Sequence, residues 1–285
     1  MKNVLSIVLI LIVLCTSFTI NAEPVIINYN DTTLLVENNS SHAMDELFTV
    51  IPSNVVFPAT LEENREMSLD YIHKYSDKKR NYLLNTYKQG KKIFPKVSAI
   101  LKRYGLPEEL KVLIALESGF NANAISTAGA VGYWQIMDDV AREYGLKISS
   151  PNANEKENNK PQKKDERKNF LKSTITAARY LRDRCKNLNN DLLLIVAAYN
   201  WGVGNIWSVM KKCGKSNPTF WDVKKYLPTE TRNYVMNFIT FNVIFKNYEN
   251  FSKKSLVFTP KTIKVTTTPA TISNPELSES AVLLQ

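Results

Sequence analysis

Histidine is nearly missing from this 285-residue chain: His42 and His73 are the two it has, and both precede the stretch that carries the chemistry. Neither a zinc cluster nor a Ser-His-Asp triad then has the side chains it needs, so no metal, no cofactor and no serine hydrolysis are expected. Cysteine is almost as scarce. Beyond Cys15 in the N-terminal apolar run there are Cys185 and Cys213, too few for a disulfide framework but enough for one bridge. They are expected to pair, because they end the helices before and after AAYNWGVGN; closing that loop would stabilise by about 3.5 kcal/mol.

The apolar run near the start is too short for a comfortable membrane span. Val4 to Leu14 follows Lys2 and closes on Asn21-Ala22 before Glu23, the arrangement of an export signal over residues 1–22. The chain is expected in the periplasm or cell envelope, and an uncleaved signal would hold it at a membrane. Leu14 is too bulky a neighbour for Cys15 to be a lipidation site. No nucleic-acid-reading motif is present. The net charge of +10 suits an anionic partner such as phospholipid head groups or an acidic wall polymer, and export argues against nucleic acid.

What is present is ordinary globular material, 44% hydrophobic and 22% charged. Residues 23–60 are rich in Asn, Thr and Ser and read as an arm or linker. Residues 61–100 read as a helical N-terminal extension, 101–250 as the catalytic domain and 251–285 as a tail. Helical spacing recurs around Met67–Tyr75, Arg80–Gln89, Phe94–Tyr104, Phe170–Cys185, Leu192–Tyr199, Ile206–Lys212 and Thr229–Tyr248. The polar stretch Lys147–Lys168 reads as a surface loop. No convincing strand series appears, so the fold class is all-α.

One helix breaks its own pattern. After Leu106-Pro107, an entrance with Glu108 and Glu109 in the first turn, Leu110, Leu113 and Ile114 fall on one apolar stripe. The next place on that stripe is Glu117, an acid where a leucine is due. Gly119 and the small residues after it end the helix, so Glu117 lies in its last turn, near an edge that a groove could reach. Burial there disfavours the charged form and raises the pKa, as a general acid near neutral pH requires. A structural glutamate held by Ser or backbone partners is the plainer reading of the helix alone.

Three further stretches are locally odd. GYWQIM sets Tyr133, Trp134 and Gln135 after a loop of small residues, suited to stacking on sugars and bonding their substituents, or simply to plugging core. AAYNWGVGN brings Tyr199 and Asn200 to a helix end, which a plain C-cap would also explain. LPTETRNYV places Glu230 in the first turn of the last long helix with Tyr234 one turn on; capping explains Glu230 equally well.

In order and spacing, these four motifs resemble the soluble lytic transglycosylase catalytic domain, a goose-lysozyme-like helical fold with a saccharide-binding groove. Within it they are nearest the branch of membrane-bound lytic murein transglycosylase D. The resemblance runs from about Leu101 to Phe245. It implies that Glu117 is the catalytic acid/base with Ser118 as its partner. It further implies that Gln135, Tyr199 and Asn200 contact the saccharide or the acid, that Glu230 and Tyr234 form the far wall, and that peptidoglycan glycan strands are the partner. Tyr133-Trp134 and Asp138-Asp139 depart from the family's usual residues, and the wall-binding repeats that relatives carry are not visible.

A hydrolysing glycosidase normally sets two carboxylates about the bond, and the Glu117 motif has one. The resemblance implies a reaction that needs no second: the muramic C6 hydroxyl attacks and leaves a 1,6-anhydro end. The alternatives are a lysozyme-like hydrolase in which Asp138, Asp139 or Glu230 activates water, and a wall-binding protein without turnover.

Overall fold

The computed structural model describes residues 25–29, 32–36, 47–148 and 165–265, in two compact units, one drawn from the chain's two ends and one spanning 54–258. The expected signal, most of the 147–168 loop and the tail beyond 265 lie outside the described residues.

The first unit is a sheet that the sequence reading did not anticipate. β1 (Val25–Tyr29), β2 (Thr32–Val36), β3 (Leu47–Ile51) and β4 (Lys261–Val265) form an antiparallel sheet in the order β1-β2-β3-β4. Stretches read as arm and tail thus meet, with Leu47 opposite Val265 and Ile51 opposite Lys261. β-branched residues favour the pleated backbone in VIINY and TTLLV. The β3–β4 pairing joins stretches about 200 residues apart, so no turn signal could announce it.

The second unit is helical, as the all-α reading expects. Its helices are α1 (Arg65–Lys78), α2 (Arg80–Gly90), α3 (Phe94–Arg103), α4 (Leu113–Ser118), α5 (Asp138–Glu143) and α6 (Phe170–Asn187). They continue through α7 (Leu192–Trp201), α8 (Val203–Cys213), α9 (Phe220–Val223), α10 (Thr229–Lys246) and α11 (Tyr248–Ser252). α7 is apolar all round, and Leu193 to Ala198 are all buried, as a helix at the middle of a core must be. Asp191 caps it by accepting from Leu194 N at 2.8 Å. α10 packs against α1 and α7 and buries Phe238, Phe241 and Ile244 of its stripe.

The Glu117 stretch differs from the single helix expected. Glu108–Val112 is a 3-10 turn entered from Pro107, and α4 is only the six residues that follow. The stripe survives the change of winding, with Leu110, Leu113 and Ile114 fully buried. A tighter first turn followed by an α turn is a common way to begin a short helix against a core.

Cys185 and Cys213 do not form the expected bridge. Both are free thiols, half-buried on their own helices, and Cys213 Sγ lies 3.9 Å from Asp222 O. Ending helices on either side of one motif does not aim two side chains at each other.

Candidate active site

Glu117 sits in the last turn of α4, which Gly119 closes in the left-handed conformation at φ 57°. The residue keeps some surface, yet protein crowds its carboxyl, and burial pushes the pKa up to about 7. Tyr234 Oη, from α10, donates to Glu117 Oε1 and pulls the value partway back. Burial and the neighbouring carboxylate hold the Tyr234 and Tyr199 hydroxyls well above the ordinary tyrosine range, so both stay protonated and able to donate.

The wall beside the acid is the loop from Asn121 to Met137, folded on itself by the bridges Ile125–Val131 and Val131–Ile136. Ser118 Oγ donates to Tyr133 O at 2.8 Å and so ties this wall to α4. Tyr199 Oη, in the last turn of α7, donates to Trp134 O at 2.7 Å and ties the same wall to the core. Gly132 adopts φ 85°, and a Cβ there would meet Arg167 O at 2.2 Å; no other residue fits.

Gln135 also has positive φ, 47°, and its Nε2 is spent on Gly132 O (2.9 Å) and Ala124 O (3.2 Å). Its Oε1 is left to accept. Asn200 Oδ1 accepts from Thr231 Oγ1 at 2.9 Å, which leaves Nδ2 to donate. Both amides line a cavity of about 240 Å³ together with Tyr199, Tyr180 and Asp139. An acceptor and a donor fixed by their other ends, beside aromatic edges, suit the hydroxyl and acetamido groups of a sugar.

Several expected site residues stand elsewhere. Trp134 is fully buried with Nε1 donating to Thr174 Oγ1 at 3.0 Å, so it fills core and cannot stack on a ligand. Tyr133 is half-buried, edge-on to Phe170 at 5.5 Å. Glu230 is exposed at the start of α10, and the residue from that turn which reaches the cluster is Thr231. Of the acids that could activate water, Asp138 is paired with the Arg167 guanidinium, while Asp139 is exposed and accepts from its neighbour Val140 N at 2.8 Å. Among the described residues no group of three or more His, Cys, Asp or Glu could hold a metal ion.

Arg167 is what the sequence reading missed. In a stretch read as surface loop, it is 4% exposed. Its guanidinium holds Asp165 (2.7 Å), Asp138 and Ile136 O (3.3 Å), clamping the end of the Gln135 wall. A lone arginine in a lysine-rich polar run carries no periodic signal. Thr231 and Thr174 are equally silent, each being one polar position on a mixed helix.

Residues 96–219 match the family model described as the Transglycosylase SLT domain. Among curated proteins, the chain is 29% identical over 209 residues to membrane-bound lytic murein transglycosylase D of Escherichia coli (strain K12), covering 73% of this chain and 40% of that protein. It thus spans about two fifths of that relative's length. Similar solved structures include the lytic transglycosylase Slt of Pseudomonas aeruginosa, at 23% identity, TM-score 0.41, covering 54% of this chain and 24% of that one. The 70 kDa soluble lytic transglycosylase of Escherichia coli is similar at 21% identity, TM-score 0.42, covering 53% and 24%.

Proposed function

We propose that this chain, whose residues 96–219 are a transglycosylase SLT domain, is a peptidoglycan lytic transglycosylase that cuts the bond between N-acetylmuramic acid and N-acetylglucosamine without consuming water. The observation that carries the reading is Glu117: a carboxyl raised to about 7 by burial, with one tyrosine hydroxyl on it. A group with that pKa is protonated often enough to give a proton to the leaving oxygen and, once ionised, basic enough to recover one.

In this reading Glu117 protonates the glycosidic oxygen as the bond breaks. The carboxylate then takes the proton of the muramic C6 hydroxyl, which attacks the anomeric carbon and closes a 1,6-anhydro ring. Tyr234 keeps the carboxyl oriented through both steps, and Ser118 and Tyr199 hold the wall against it. Gln135 Oε1 and Asn200 Nδ2 orient the sugar. The protein acts in the cell envelope, reached by export through residues 1–22. Association with a membrane would come through an uncleaved signal, since no helix among the described residues is long and apolar enough to cross one.

Asp139, in the cavity wall, is the feature that favours a hydrolase instead, because an exposed acid beside the amides could orient a water. Digestion of purified sacculi in heavy-oxygen water separates the two. Unlabelled anhydro ends are expected; label at every new muramic end would replace this reading with the hydrolytic one.

A further inference from the structure

On another side of the helical unit, between α2, α3, the 3-10 turn at Glu108–Val112 and α10, lies a cleft of about 580 Å³ that the catalytic residues do not enter. At its wall is Glu109, 9% exposed, whose carboxylate accepts no hydrogen bond and makes no ion pair with any described residue. Its carboxylate is therefore left to partner what enters the cleft. Beside it Asn242 Nδ2 is spent on Phe238 O (3.0 Å) and Glu109 O (3.3 Å), which leaves its Oδ1 as a second open acceptor.

The remaining walls are aromatic and cationic. Tyr87 and Phe245, with ring centres 5.3 Å apart, line the cleft. Two exposed lysines, Lys91 and Lys246, stand at its edge. Neither has a carboxylate partner, and Lys91 Nζ lies 5.6 Å from the Tyr87 ring. The nearby Lys111 is already paired with Glu108 at 3.1 Å.

Tyr87 is stacked on Tyr248 at 3.8 Å, so the rings present edges to the cleft; two acceptors beside them suit an ammonium group, and two ammoniums without carboxylate partners at the edge suit a carboxylate. We propose that this cleft binds an amino-acid zwitterion, its ammonium on Glu109 and Asn242 Oδ1 against the Tyr87 and Phe245 rings, its carboxylate on Lys91 and Lys246. That chemistry is carried both by a free diamino acid and by the free amino-acid end of a wall peptide. The second source rests on the peptidoglycan reading; the zwitterion site itself does not.

The test is binding to the intact protein by calorimetry and by shifts of the lysine ammonium resonances. The ligands are free diaminopimelate, its N,N′-diacetyl form, and a disaccharide tripeptide ending in diaminopimelate. Diaminopimelate should bind with a dissociation constant on the order of 1 mM, and the diacetyl form about tenfold more weakly or not at all. Glu109→Gln and, independently, the edge substitution Lys246→Ala should each weaken it about tenfold, while Glu117→Gln leaves it unchanged. Tighter binding of the tripeptide than of the free acid, persisting in Glu117→Gln and lost in Lys246→Ala, identifies the wall peptide as the source; equal binding identifies the free acid. No binding by either ligand, equal binding of the diacetyl form, or affinity untouched by Lys246→Ala would overturn the site and leave the catalytic reading standing.

Discussion

Glu109 and Glu117 lie eight positions apart, and the α10 residues that meet them, Asn242 and Tyr234, are also eight apart in the opposite order. One short stretch thus runs antiparallel to one helix and meets it twice, through the Glu109 backbone carbonyl and the Glu117 carboxylate, about 12 Å apart along α10 at the helical rise. The surroundings make them different groups. Glu117 meets a buried hydroxyl and a wall tied down by Ser118, Tyr199 and Arg167, so its proton is held at one place. Glu109 meets rings and an open cleft with lysines at its edge. An acid becomes a proton-transfer group through what is fixed around its carboxyl, and that enclosure is what Glu117 has.

The largest expected break in that comparison is Glu117→Gln. Glycan cleavage should fall by on the order of 10³-fold or more, since the amide fills the same space but cannot exchange the proton. Stability should move the other way. The carboxyl's pKa rises on folding, so the native state binds more protons between the ordinary glutamate value of 4.5 and about 7, and stability falls as pH rises through that window. Glutamine escapes this loss. The variant should therefore be more stable than wild type above pH 7, by up to about 3 kcal/mol, with the difference shrinking below pH 4.5. Calorimetric melts of both proteins at three pH values check it; an advantage of the variant over wild type no larger at pH 8 than at pH 4 would mean that Glu117 is not held in a desolvated place.

Next in size is the wall that Glu109 lacks. Arg167→Met should cost about 3–5 kcal/mol, because Asp165 loses its buried partner and Ile136 O its donor. Activity of the fraction still folded should drop as the Gln135 turn loosens. Arg167→Lys, which keeps the charge without the fork, should recover part of the stability but little of the turnover. If turnover per folded molecule stays at the wild-type level in Arg167→Met, the wall is not what distinguishes the two carboxylates.

The smallest effect is the sharpest. Tyr234→Phe removes the one interaction that lowers the pKa of Glu117, so the alkaline fall of kcat, expected near pH 7, should move to higher pH while kcat drops about tenfold. A profile that keeps its alkaline limb and only loses amplitude would show that the hydroxyl orients the acid without tuning it.

Much of this was legible from residue order. The interrupted stripe Leu110–Leu113–Ile114–Glu117 shows an acid facing core whether the segment is one α-helix or a 3-10 turn followed by α4, because the three leucine and isoleucine positions bury either way. Asn200 at a helix end before Gly202 was equally visible, since a positive φ after an apolar helix needs glycine. Trp134 was misread. Its neighbours Tyr133 and Gln135 share its exposed-looking loop, and only the position of Thr174 on α6 decides that the indole turns inward.

The sequence by itself determined where the long helices run and that Glu117 stands in a hydrophobic place, because these depend on residue spacing and type within a few turns. Tertiary structure alone decided which partners met: Tyr234 on Glu117, Thr231 on Asn200, Arg167 under the Gln135 turn, the open acceptor at Glu109, the two thiols apart and β3 beside β4. Each of those contacts joins segments tens to hundreds of residues apart, and hydrogen bonding is short-ranged. Whether two such groups come within 3 Å is set by how whole helices pack, which no local pattern encodes.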